Sequence, residues 1–193
     1  MTELEYLESV FFRVIADLKD YLTDLTLVGG WLPYVYSRFM WNNLMVKPIT
    51  TTDIDFGLGT DTTKVYQRTI FDLLSSLDYK ERHPQMDRMF PVVMYKEGKI
   101  RLDFIAPPKI KDAIIEKVVG KQIDINKIEK FDFLLKHRTL IEIGIRKWFT
   151  ISIAQNHRRS FITKAPPSLK EKMSKNRQKI STICISSYAM IRI

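Results

Sequence analysis

The chain has a single cysteine, Cys184, among 193 residues. An intramolecular disulfide framework and an all-cysteine metal site are therefore excluded. A reducing, cytoplasmic setting is the simplest expectation. Long apolar runs are also missing: no stretch approaches the roughly 18 residues needed to span a bilayer, so no membrane partner is expected. The chain opens with Glu3, Glu5 and Glu8, not with the basic-then-apolar order of a secretory signal. Histidine is scarce. His83, His137 and His157 are isolated and lack metal-ligand spacing. Cys184 has no neighbouring histidine or basic pair, which fits an inert thiol. Neither internal repeats nor long linkers are visible.

What is present is an ordinary globular composition, 45% apolar and 27% charged, which excludes a disordered or fibrous chain. The net charge of +9 is uneven: residues 1–105 carry −3 and residues 106–193 carry +12. A basic half beside a mildly acidic one suggests a polyanion, such as nucleic acid or nucleotide phosphates. A solvated basic surface is the plainer alternative.

Apolar spacings of three and four predict a helix over 3–22, with Leu4, Leu7, Val10, Phe11, Val14, Leu18 and Leu22 inward. A strand over 25–28 ends in Gly29-Gly30, and a helix over 31–45 follows. Residues 54–58 read as a second strand. Asp61 is the expected N-cap of a helix reaching Leu77, with Val65, Ile70, Leu73, Leu74 and Leu77 inward. Residues 90–95 and 99–105 read as a hairpin around Glu97-Gly98. A short helix over 109–119 and a hairpin of 134–143 with 147–153 around Gly144 come next. Residues 156–180 are basic and read as helical, broken at Pro166-Pro167, and 180–193 is apolar without clear period. The expected class is α/β, or α+β in looser usage: a small mixed sheet with helices mainly on one face. The expected division is a catalytic domain over 1–153 and a basic helical appendage over 154–193.

Three acidic residues occupy unusual places. Asp53 and Asp55 lie in Thr51-Thr52-Asp53-Ile54-Asp55-Phe56, where a spacing of two directs both carboxylates to one face of a strand. Asp103 sits inside a second apolar strand, Ile100-Arg101-Leu102-Asp103-Phe104-Ile105. Aspartate is a poor strand former, and an unpaired buried carboxylate is costly. A divalent cation would offset the repulsion, and Mg²⁺ favours carboxylate oxygens with substrate phosphates. An isolated Asp-x-Asp is more often a solvated turn. The third aspartate and the Gly-Gly pair between strand and helix weigh against that, because glycines there let backbone N–H groups approach a phosphate. Arg101 shares a face with Asp103 and suits either carboxylate orientation, a phosphate contact or a structural ion pair. Trp31, Trp41, Tyr34 and Tyr36 are expected to fill the core and cleft walls.

In this order, Leu27-Val28-Gly29-Gly30-Trp31, Thr52-Asp53-Ile54-Asp55-Phe56 and Leu102-Asp103-Phe104 resemble the polymerase-β-type nucleotidyltransferase superfamily over residues 24–106. The likeness is nearest to small bacterial and archaeal members that include abortive-infection and antitoxin-paired toxins. The resemblance implies that Asp53, Asp55 and Asp103 ligate two Mg²⁺ ions and that Gly29 and Gly30 hold a nucleoside triphosphate. Gly30 stands where other members have serine. Phe161-Ile162-Thr163-Lys164 resembles the family's helical element whose lysine, here Lys164, lies near the nucleotide. Arg177-Gln178-Lys179 resembles a further family segment, but Ile180 replaces its aspartate. The implied activity is transfer of a nucleoside monophosphate to an acceptor hydroxyl. RNA 3′ ends, protein hydroxyls and small molecules are all allowed as acceptors. The charge of residues 106–193 favours RNA, including tRNA, and an antitoxin-like protein partner is implied. The alternative is a non-catalytic nucleic-acid- or partner-binding protein that keeps the fold.

Overall fold

The computed structural model describes residues 2–40, 51–60, 62, 64–82, 93–96, 99–144 and 148–154. It is a mixed α/β structure built on one eight-stranded sheet. No helix among the described residues is long and apolar enough to cross a membrane.

Helix α1 (Glu3–Asp17) starts at a capping box. Thr2 Oγ1 accepts from the Glu5 amide, and Glu5 accepts from the Thr2 amide, so two orphan donors are satisfied reciprocally. Leu7, Val10, Phe11, Val14 and Ile15 are buried, while Leu4, expected inward, is 38% exposed. The helix ends five residues before the expected point. Its continuation is a tighter turn over Lys19–Tyr21, a common termination of an α-helix.

Strand β1 (Leu25–Val28) is fully buried. Beyond it the expected 31–45 helix has three parts: a 3₁₀ turn over Gly29–Trp31, helix α2 (Leu32–Val35), and a π turn over Tyr36–Met40. Residues 41–45 lie outside the described residues. Strand β2 (Asp53–Leu58) follows. The helix expected up to Leu77 is shorter, α3 (Ile70–Ser75), capped by Thr69 with Asp72. Residues 64–69 are irregular and Val65 is 90% exposed, against its expected inward position. Tertiary contacts override the helical spacing here. Tyr66 stacks on Tyr21 and donates to Asp24, while Tyr21 donates to the Arg68 carbonyl. Asp61 itself lies outside the described residues.

The remaining elements are β3 (Lys80–Arg82), β4 (Val93–Lys96), β5 (Ile100–Ala106), α4 (Asp112–Val118), β6 (Ile125–Lys127), α5 (Phe131–Lys136), β7 (Arg138–Gly144) and β8 (Trp148–Ala154). Residues 97–98 lie outside the described residues. The β7–β8 hairpin pairs Gly144 with Trp148 as expected. It begins at Arg138, because Leu134 belongs to α5 instead. The sheet order is β3-β4-β5-β2-β1-β8-β7, with β6 also pairing β5. Antiparallel pairs join β1 to β2 and β4 to β5, and parallel pairs join β2 to β5, β1 to β8 and β5 to β6.

Strand alternation divides the faces. Ile100, Leu102, Phe104 and Ala106 of β5 are buried, as are Ile54 and Phe56 of β2. Helix α1 belongs with this face: the buried Lys96, paired with Ile100, reaches Asp17 at 3.6 Å and the Leu77 carbonyl at 2.9 Å. The opposite face carries Asp53, Asp55, Gly57, Arg101 and Asp103. Helix α5 covers part of it, since a Cβ on Gly57 would stand 2.6 Å from the Phe131 ring. The expected appendage, residues 156–180 and 180–193 included, lies outside the described residues beyond Ala154.

Candidate functional site: a carboxylate face between two parallel strands

The pairing of β2 with β5 puts Asp53 opposite Arg101 and Asp55 opposite Asp103. Side chains at i and i+2 share a face of a strand, so three carboxylates and one guanidinium occupy a single patch. All four are partly buried; Asp55, Arg101 and Asp103 each lie between buried neighbours, while Asp53 stands between exposed Thr52 and buried Ile54. At the entry to the pairing one bond is local to the β2 segment and one crosses to β5. The Asp53 amide donates to Thr51 Oγ1 at 3.1 Å, and the Arg101 amide donates to the Thr52 carbonyl at 2.9 Å.

The Gly29-Gly30 turn meets the same patch. Gly29 has φ +72°, and a Cβ there would stand 1.9 Å from Asp55 Oδ2. The Gly30 amide donates to the Asp55 carboxylate. A Cβ on Gly30 would meet the Thr51 methyl at 2.3 Å. The Gly29-Gly30 turn thus packs between Asp55 and Thr51.

Charge crowding is visible in the acidities. Burial first, then the Asp103 and Asp53 charges, push the Asp55 carboxyl up to about 6, against the opposing pull of the Gly30 N–H and Arg101. Burial also raises Asp103. Arg101 counters this in part, and the Asp53 and Asp124 charges add to the rise. Arg101 binds Asp103 Oδ1 through Nε and Nη2, each at 2.8 Å. Burial works against the guanidinium's charge, but Asp103 more than compensates, with Tyr95 and Asp53 assisting.

Asp124 is the acidic neighbour that sequence reasoning missed. It immediately precedes β6, whose parallel register sets Ile125 beside Phe104. One step back along that register brings Asp124 alongside Asp103. The only sequence signal was an aspartate before a short polar strand, which does not specify pairing.

The donor set suits a hard divalent cation, because three carboxylates on adjacent strands supply oxygen ligands and their repulsion favours a cation between them. As they stand, no three His, Cys, Asp or Glu side chains among the described residues are gathered closely enough to hold a metal ion; Asp103 directs Oδ1 to Arg101.

The other candidates separate from this patch. Trp31 is fully buried and stacks on Phe11 with centroids 4.3 Å apart, so it fills the core. Tyr34 donates to Glu8 at 2.6 Å and Tyr36 to the Ala154 carbonyl at 2.8 Å; both are structural. The His137 ring lies 4.5 Å from that of Phe133. Lys164, Trp41, His83, His157, Cys184, Arg177, Gln178, Lys179 and Ile180 lie outside the described residues. Comparison with family models, curated proteins and solved structures finds no match to this chain.

Proposed function

We propose that the chain is a metal-dependent nucleotidyltransferase. It moves a nucleoside monophosphate from a nucleoside triphosphate to an acceptor hydroxyl and releases pyrophosphate. One observation carries this reading: Asp53, Asp55 and Asp103 share one sheet face, with Asp55 opposite Asp103 across two parallel strands and Gly29-Gly30 against it.

Asp53, Asp55 and Asp103 would hold Mg²⁺. When bound there, the ion neutralises phosphate charge and makes an acceptor hydroxyl a better nucleophile. The protein's own contributions are positional. The Gly30 N–H fixes the Asp55 carboxylate, and Gly29 keeps the space beside it free of a side chain. The strand register sets the spacing of all three carboxylates.

An RNA 3′ end, including that of tRNA, is the acceptor favoured by the +12 charge on residues 106–193. An antitoxin-like protein is the partner implied by the resemblance. The test is incubation of the protein with labelled nucleoside triphosphates, Mg²⁺ and total RNA. Covalent label on RNA that disappears in Asp53→Ala supports the reading. Absence of transfer to RNA, protein or small molecules removes it.

A second reading is a non-catalytic nucleic-acid- or partner-binding protein with the same fold. The bond that commits Asp103 to Arg101 favours it. RNA binding without label transfer in the same experiment would select it.

A further inference from the structure

One carboxylate oxygen of the patch is occupied twice. Asp103 Oδ1 accepts a hydrogen bond from Arg101 Nε at 2.8 Å and forms an ion pair with Nη2, also at 2.8 Å. The carboxylate is 14% exposed and the guanidinium 39%, so the pair reaches from the sheet towards solvent. Arg101 also stands opposite Asp53 in the register and is influenced by its charge. Among the described residues, three other cations pair elsewhere: Arg38 with Glu8, Lys96 with Asp17 and Lys127 with Asp112.

We infer that Arg101 is the resident counter-cation of this carboxylate patch and competes with a divalent ion for Asp103. The inference rests on the metal-dependent reading above. A guanidinium cannot shed its charge by deprotonation. It therefore yields the oxygen only by swinging away, and its exposure leaves room for that. While it stays, it blocks lone pairs of Oδ1 and places a positive charge where the ion must come. Arg101 is thus a positioning residue with an exclusion role: it keeps three carboxylates together without metal and sets how tightly metal binds. If it merely aimed Asp103 at the ion, its removal would weaken binding. The two roles predict opposite signs.

The test is calorimetric titration of the full chain with Mn²⁺ at fixed pH and ionic strength. Arg101→Gln removes the charge and should bind Mn²⁺ about tenfold more tightly, the scale of one charge-assisted hydrogen bond at a partly exposed site. Arg101→Lys keeps the charge with a less suitable donor, and should fall between Arg101→Gln and the unaltered chain. It also preserves a counter-ion should Arg101→Gln fail to fold, and then a tighter constant for Arg101→Lys alone is the expected result. Asp53→Asn should lose the Mn²⁺ signal, which locates the binding. Equal or weaker Mn²⁺ binding in the folded Arg101 variants overturns the inference and leaves the metal-dependent reading standing. Absence of Mn²⁺ binding in every variant, the unaltered chain included, overturns both.

Discussion

Gly29 and Asp55 share a space that admits one side chain. A Cβ on Gly29 would stand 1.9 Å from Asp55 Oδ2, and Gly29 already holds φ +72°. Gly29→Ala should therefore destabilise the protein twice over. The left-handed backbone alone costs about 1–2 kcal/mol, and the clash adds to it. Gly29→Ala/Asp55→Ala should lose less than the sum of its single mutants, because the clash is gone. Denaturant unfolding of the four proteins measures the coupling.

Gly30→Ser should be milder than Gly29→Ala but not neutral. The added Cβ meets the Thr51 methyl at 2.3 Å, a short side chain that must turn away. Thr51 Oγ1 also accepts from the Asp53 amide, so the turn disturbs the entry to β2. A Thr51→Ala background should relieve the clash, and thermal melts of the single and double variants decide it.

The Asp55 carboxyl is raised from 3.8 to about 6. The folded protein then holds this proton more tightly than the unfolded chain, so stability falls as pH rises between these values. Asp55→Asn keeps an acceptor for the Gly30 N–H and removes the ionisation. Its melting temperature relative to the unaltered protein should rise from about pH 4 to pH 6 and level off above. Melts in chelator, across pH 4–8, measure this; a flat difference would contradict the charge crowding.

If the proposed transfer is this protein's activity, Asp53→Ala, Asp55→Ala and Asp103→Ala should each lower it by about a thousandfold or more, since charge neutralisation at phosphate is worth several kcal/mol. Asp124→Ala should have a smaller effect, because it acts on Asp103 only through its charge. Circular dichroism of each variant separates lost chemistry from lost fold.

Phe131 is 3% exposed and its ring covers Gly57. Phe131→Ala should cost about 3 kcal/mol. Gly57→Ala should destabilise the unaltered protein, because its Cβ would lie 2.6 Å from the ring. It should be tolerated better in the Phe131→Ala background, where the ring is absent. Denaturant midpoints of the single and double variants check the pairing.

The carboxylate patch was legible in the sequence because strand geometry has a period of two. Asp53 and Asp55 share a face by spacing alone, and apolar flanks mark Asp103 as a strand residue. Strand β1 and the body of α1 were legible from local apolar patterns, while the capping box at Thr2 came only with the structure. Tertiary structure decided the rest. Only the parallel register of β2 with β5 sets Asp55 opposite Asp103 and Asp53 opposite Arg101, since pairing between distant segments is fixed by the whole sheet. Residues 64–69 have helical spacing, yet the bonds of Tyr66 to Asp24 and of Tyr21 to Arg68 hold them irregular. Strand β6 is three largely polar residues, and its place beside β5, which brings Asp124 to the patch, depends on a partner 21 residues upstream. Sequence spacing determined which carboxylates could share a face. The fold decided which cation and which glycine each of them meets, because those contacts join segments that no local pattern connects.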